Sequence, residues 1–242
     1  MEWIEHSVHW EMDKDFFMTD QNDSLYNGDN AEFGFTNTIK DRVLEKLRDI
    51  LAKYKRLDLL DATYTVVKEL VINATKAIMK RIVFAENKLD IDNVADWEKG
   101  NILFKERLLE KYIKDYIEKG KSLNFKVKVR YVHSKNGIRV EVINNTPIPK
   151  LDEERLRKNL ANSMRYDSIA DFYLDCGDNV EGAGLGLPMI IILLKNQGID
   201  PQFLRIGNNS DETIARIEIP FNKNYLPFRE QKFKSLLKDG QI

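Results

Sequence analysis

The stretch Gly182-Ala183-Gly184-Leu185-Gly186-Leu187-Pro188, followed at once by the apolar run from Met189 to Leu194, constrains the fold more than any other part of the sequence. Glycines at alternate positions let the backbone bend sharply and bring the main chain close to a neighbour. Pro188 suits the first turn of a helix, where its missing N–H costs nothing and its φ is already helical. A helix that is apolar all round has to be buried. A glycine turn feeding such a helix presents free N–H groups and the positive end of the helix dipole, which is one way to hold phosphate. The same turn also serves as a tight connection before a core helix, and the stretch alone leaves both readings open.

Composition removes several function classes. With 242 residues, 43% of them hydrophobic, the chain has enough length and apolar content for one substantial core. Lys and Arg number 38 against 39 for Asp and Glu, so no strong field toward nucleic acid or an anionic membrane follows. The longest apolar run is too short for a bilayer, and the first residues lack the basic start and apolar core of a signal peptide. Cys176 is the single cysteine, which points to a reducing compartment, and the expected location is cytoplasmic. Three scattered histidines, His6, His9 and His133, offer no metal cluster.

In chain order, residues 1–35 mix aromatic and acidic side chains and read as an extension that docks on the core or on a second copy. Ile39, Val43, Leu44, Leu47, Ile50 and Leu51 recur at helical spacing, which predicts an amphipathic helix to about Tyr54. A second helix is predicted from about Ala62 to Phe84, with Val66, Leu70, Ala74, Ala77 and Ile78 on its apolar face. Glu69, Asn73, Lys76 and Lys80 form a separate polar stripe at spacings of four, three and four. Such a stripe can hold a metal-phosphate group through an amide oxygen, an ammonium and a carboxylate, or can simply be a solvated helix face. A third amphipathic helix is predicted from Ile102 to Ile117.

Residues 125–132 switch to period two, and Ile138, Val140 and Val142 answer them across Ser134-Lys135-Asn136-Gly137, a β-hairpin with His133 expected exposed at its turn. Its second strand runs into Asn144-Asn145-Thr146-Pro147-Ile148-Pro149, a rigid loop able to present amide side chains. Residues 150–181 begin helical and turn polar, as a mobile lid would. Residues 203–206 and 213–219 predict a second hairpin, and 223–242 a basic tail with a short helix over 231–237.

Taken in this order, these pieces resemble the GHKL superfamily of gyrase-type, chaperone, MutL and histidine-kinase ATP-binding domains, over roughly residues 36–222. Glu69-Leu70-Val71-Ile72-Asn73-Ala74-Thr75-Lys76-Ala77 looks like the N box, and Gly182 to Leu187 like the second glycine box. The resemblance implies an α/β two-layer sandwich, with a mixed, mostly antiparallel sheet and helices on one face, carrying a helical insertion at 86–122 and a lid at 150–181. It implies ATP and Mg²⁺ as ligands. Asn73 would bind the metal, Lys76 a phosphate, and Glu69 would orient water or a hydroxyl. Gly182, Gly184 and Gly186, with the backbone at Leu185 and Leu187, would cradle the phosphates. The first glycine box departs from the family pattern: Asn144 stands where an Asp receives the adenine amino group, and both glycines are missing. Residues 36–68 contain no histidine to act as phospho-acceptor. The expected function is therefore an ATP-Mg-binding signalling or regulatory protein, a kinase or slow ATPase with an unidentified protein partner and a possible homodimer. The alternative is a non-catalytic nucleotide-binding or protein-interaction module.

Overall fold

The structure is a computed structural model that describes residues 4–8, 37–108, 113–176 and 185–231. Gly182 and Gly184 lie outside the described residues, as do the tail beyond residue 231 and most of the N-terminal extension. One antiparallel sheet carries the fold, in the order β1-β2-β3-β5-β4. Its strands are β1 (Ile4–Val8), β2 (Val127–Ser134), β3 (Gly137–Asn144), β4 (Leu204–Asn209) and β5 (Glu212–Pro220). Every pairing among the described residues is antiparallel, so the mixed sheet expected from sequence is not observed there. The reason is the connectivity: β2–β3 and β4–β5 are hairpins, and β5 returns beside β3 in the opposite sense.

Period two sorts the strands into two faces. Val129, Val142 and Ala215 form one cross-strand row, and Tyr131, Val140 and Ile217 the next, all of them buried. These rows share one core with helices α2 (Leu60–Glu86) and α7 (Gly186–Asn196), and α1 (Asn37–Lys53) packs against α2 and feeds Val43, Leu47 and Leu51 into the same core. Val66, Val67, Leu70, Val71, Ile78 and Ile82 give α2 a wide apolar face, and burial of each large side chain contributes about 1.5–3 kcal/mol. The opposite face of the sheet is charged. Glu141 takes Arg130 and Arg139, Glu218 takes Arg216, and the Phe228 ring stacks on the guanidinium groups of Arg139 and Arg216.

Three local expectations are corrected. The helix predicted from Ile102 is two: α3 (Val94–Arg107), and α4 (Ile113–Ser122) beyond residues 109–112. The start of α3 is set by Asn93, whose side chain accepts from the backbone N–H groups of Ala95 and Asp96, a cap concealed in a stretch that reads as polar loop. His133 is not an exposed turn residue. The strand continues to Ser134 and turns through Lys135 and Asn136, which points His133 inward at 1% exposure with Nδ1 2.9 Å from the Tyr54 hydroxyl. Finally, Lys80 is not on a solvated face; it is 7% exposed.

β1 extends the sheet as an edge strand on β2. Residues 150–176 form α5 (Lys150–Ser163) and α6 (Ile169–Cys176), both packed against α7. Among the described residues no helix is long and apolar enough to cross a membrane.

Candidate functional site

The inward rows of the sheet turn polar at one end. In phase with Val129, Val142, Ala215 and Ile206 come Val127, Asn144, Thr213 and Asn208, so three polar side chains sit at positions that elsewhere feed the core. A cavity of about 190 Å³ opens over that end. Asn144, Thr213 and Ala215 form its floor, and Leu70, Asn73, Ala74 and Ala77 of α2 one wall. The loop Pro147 to Pro149 and Asp152 and Leu156 of α5 form the opposite wall. Leu187, in the first turn of α7, closes one end, and Arg81 and Ile91 line it further along α2. The cavity is mainly apolar with a few polar groups, the usual make-up of a small-molecule site.

The floor is fixed by its own hydrogen bonds. Asn144 is 2% exposed; its Nδ2 donates to the Thr146 hydroxyl oxygen at 2.8 Å and to the Thr146 carbonyl at 3.3 Å. The Thr213 hydroxyl donates to the same carbonyl at 2.6 Å. Asn208 then pins the loop from β4, accepting from the Ile148 N–H at 2.7 Å and donating to the Ile148 carbonyl at 3.2 Å. Prolines alone do not hold this loop; three side-chain amides and hydroxyls do. With its nitrogen engaged, Asn144 offers Oδ1 as an acceptor, and no described residue donates to it.

The wall from α2 has two chemically different ends. Toward α7, Glu69, Asn73 and Gly186 come together: a Cβ built on Gly186 would lie 2.9 Å from Glu69 Oε2 and 3.9 Å from Asn73 Oδ1. The N-terminus of α7 closes directly on those side chains, so a Cβ at Gly186 would push the Glu69 carboxylate aside. Asn73 Nδ2 is buried with no hydrogen-bond partner, an open donor position in a site that otherwise satisfies its amides. Lys76 is half-buried; desolvation lowers its pKa below the ordinary lysine value, opposed by the nearby Glu69 charge. At the other end Lys80, Trp97 and one Arg81 nitrogen are tied down, while Arg81 Nε is buried without a partner. Lys80 Nζ donates to Asp152 Oδ1 at 2.5 Å and lies 4.9 Å from the Trp97 ring centroid and 5.6 Å from that of Phe84. Trp97 Nε1–H donates to the same oxygen at 2.9 Å, and Arg81 donates to the Pro147 carbonyl.

Of the residues singled out from sequence, Asn73, Asn144 and Leu187 line one cavity, Glu69 and Gly186 meet beside it, and Lys76 lies one turn further along α2. Leu185 is the exposed residue that precedes α7, and α7 has no side-chain cap. Sequence reading missed Thr213, Asn208, Asp152 and Trp97. The first two carried a signal, polar residues in the inward phase of a strand; the last two carried none, because nothing local marks which residues of α3 and α5 meet.

Comparison with known proteins adds little to this geometry. No family model matches the chain, and no solved structure does. A relative described as an uncharacterized protein of Treponema pallidum (strain Nichols) is 34% identical over 156 residues, 64% of this chain. The chain spans about 30% of that relative's length.

The residues at the α7 end fit a nucleotide carrying a cation. The Asn73 N–H, buried without a partner, and the desolvated Lys76 ammonium are donors suited to phosphate oxygens, while Glu69 Oε2 and Asn73 Oδ1 lie at the start of α7, whose first N–H groups have no side-chain cap. Among the described residues no three His, Cys, Asp or Glu side chains cluster. A divalent ion held by Asn73 would therefore share its coordination with phosphate oxygens and water.

Proposed function

We propose that this chain is a GHKL-type, histidine kinase-like ATP-binding protein that binds ATP with Mg²⁺ in the cavity between α2, α5 and the polar end of the sheet. The observation that carries the reading is the convergence of Asn73, Asn144 and Leu187, three residues far apart in sequence, on one cavity. Each belongs to a different one of the family's motifs as the sequence resembles them.

ATP with Mg²⁺ supplies an electrophilic phosphoryl group whose transfer depends on positioning and charge neutralisation. The protein's share of that work falls to the α7 end. The Asn73 side-chain oxygen holds the cation, and Lys76, already desolvated, offers its charge to phosphate. The first N–H groups of α7 donate to phosphate oxygens. Glu69 accepts the proton of an attacking water or of a hydroxyl on a protein substrate. A protein kinase and a slow ATPase use the same groups; they differ in which nucleophile reaches Glu69.

A second reading, nucleotide bound without turnover, is favoured by one observation. The loop from Asn145 to Pro149 is pinned by Thr213 and Asn208, which holds the base-facing wall rigid. Calorimetric titration with ATP and a non-hydrolysable analogue, with and without Mg²⁺, tests the proposal. Micromolar to millimolar binding that tightens with Mg²⁺ is expected, and Asn73→Ala should remove the Mg²⁺-dependent part. Absence of heat and of any thermal shift at millimolar ATP would overturn the nucleotide reading. Chromatography of the products then separates turnover from inert binding.

A further inference from the structure

Among the residues that line the cavity, Asn144 and Asp152 each carry an oxygen acceptor that no described residue uses. One is Asn144 Oδ1 on the floor. The other is Asp152 Oδ2, since both Lys80 and Trp97 donate to Oδ1 of the same carboxylate. Asp152 is a cavity-lining residue whose side chain is 23% exposed. A carboxylate facing a mainly apolar cavity would ordinarily be costly, and here Lys80, buried beneath it, supplies the compensating charge. The Trp97 N–H and the Lys80 ammonium hold the same oxygen, Oδ1, and leave Oδ2 without a donor among the described residues. The arrangement leaves one charged, oriented, unfilled acceptor, and charged acceptors bind N–H donors more strongly than an amide does. Asn144, with its nitrogen committed to Thr146, cannot supply that strength.

We propose that Asp152 is a specificity-determining acceptor for the exocyclic amino group of a 6-aminopurine, shared with Asn144, and that Lys80 and Trp97 are its positioning residues. The inference rests on the nucleotide reading above and names the group that selects the base. It assigns to α3 a role in the site: the helix contributes no lining residue, but its Trp97 sets the carboxylate that α5 brings to the cavity. Gly100 permits this, because α3 there packs directly on the Phe84 ring of α2.

The test compares the wild type and the variants Asp152→Asn, Trp97→Phe and Lys80→Met in binding ATP and purine riboside triphosphate, which lacks only the amino group. The wild type should prefer ATP by about tenfold or more, the worth of one charge-assisted hydrogen bond. Asp152→Asn should lose most of that preference while binding purine riboside triphosphate as the wild type does. Trp97→Phe and Lys80→Met should shift the preference in the same direction. Purine riboside triphosphate also reports folding, so a variant that binds neither nucleotide is read together with its thermal unfolding, and Trp97→Phe, the mildest change, decides. Equal weakening toward both nucleotides, an unchanged ATP preference in Asp152→Asn, or a wild-type preference for GTP would overturn the proposal while leaving nucleotide binding intact. A wild type that binds no nucleotide overturns both readings.

Discussion

The two ends of the polar stripe on α2 differ in a way that sequence spacing conceals. Glu69, Asn73 and Lys76 and, four residues on, Lys80 lie on one helix at regular intervals. At the α7 end the amide nitrogen of Asn73 is buried without a partner, and Lys76 is desolvated with no ion pair among the described residues. At the α5 end Lys80 is more deeply buried but fully engaged by Asp152, Trp97 and Phe84. Folding normally satisfies buried polar groups, so a satisfied group accounts for itself as architecture, and an unsatisfied one calls for a ligand. On this criterion Asn73 and Lys76 mark the α7 end as the place where a ligand's charge is received, while at the α5 end Lys80 is architecture and the open atoms are Arg81 Nε and Asp152 Oδ2.

The largest test of that contrast is a pair of substitutions. Lys80→Met removes the ion-pair partner of Asp152, leaving only the nearby Arg81 charge, and should cost about 2–3 kcal/mol, below the range for a wholly buried pair because Arg81 remains and Asp152 keeps 23% exposure. Lys76→Met removes a desolvated charge that has no partner to strand and should change stability by less than about 0.5 kcal/mol. Urea denaturation of both variants measures the difference. Equal costs would dissolve the distinction between the two ends.

A smaller effect separates two glycines. Gly100 lies inside α3 against the Phe84 ring, where a Cβ would overlap ring atoms held in a packed layer. Helix propensity alone would reward Gly100→Ala by about 1 kcal/mol. Overpacking should outweigh it and leave a net loss of about 1–2 kcal/mol. At Gly186 the nearest obstacle is the terminal oxygen of Glu69, which can swing aside. Gly186→Ala should therefore cost under about 1 kcal/mol in thermal unfolding, yet displace the carboxylate assigned to the nucleophile and reduce any turnover. A Gly186→Ala protein that keeps full turnover would remove Glu69 from the mechanism.

These contrasts also explain what could be read before folding. Period two in β2, β3 and β5 and the three-four spacing of α1 and α2 placed the sheet and its main helices, because each element buries one face and the pattern records it. The elements that depend on long-range contacts were less visible. Trp97 and Asp152 are 55 residues apart and neither is unusual among its neighbours. His133 looked like turn chemistry because Lys135-Asn136-Gly137 follows it, and only the register with Ile138 turns it inward. Lys80 followed the spacing of the stripe faithfully and was still misjudged. Helical spacing says which residues share a line; it does not say whether another helix covers part of that line, as α3 and α5 cover this one.

The smallest expected effect is in the pH dependence of stability, where the two lysines should act with the same sign against an opposing background. Burial lowers the pKa of Lys76, with Glu69 opposing, and lowers that of Lys80, with Asp152 opposing, both from 10.5. Between each folded-state value and 10.5 the unfolded chain binds more protons than the native one, so these lysines make stability rise with pH, a contribution lost as pH falls through the folded-state value. The buried phenols of Tyr131 and Tyr225 have pKa values raised well above 10.0, so they titrate the other way and make stability fall as pH passes that value. The wild-type profile alone therefore mixes both signs. Differencing isolates the lysines: the stability of wild type minus that of Lys76→Met should climb as pH approaches 10.5 in denaturation curves taken at constant ionic strength. Adding Mg²⁺ and ATP should flatten that climb, since phosphate beside Lys76 favours its charged form. A climb that nucleotide leaves untouched would separate Lys76 from the ligand and confine the receiving end of the stripe to Glu69 and Asn73.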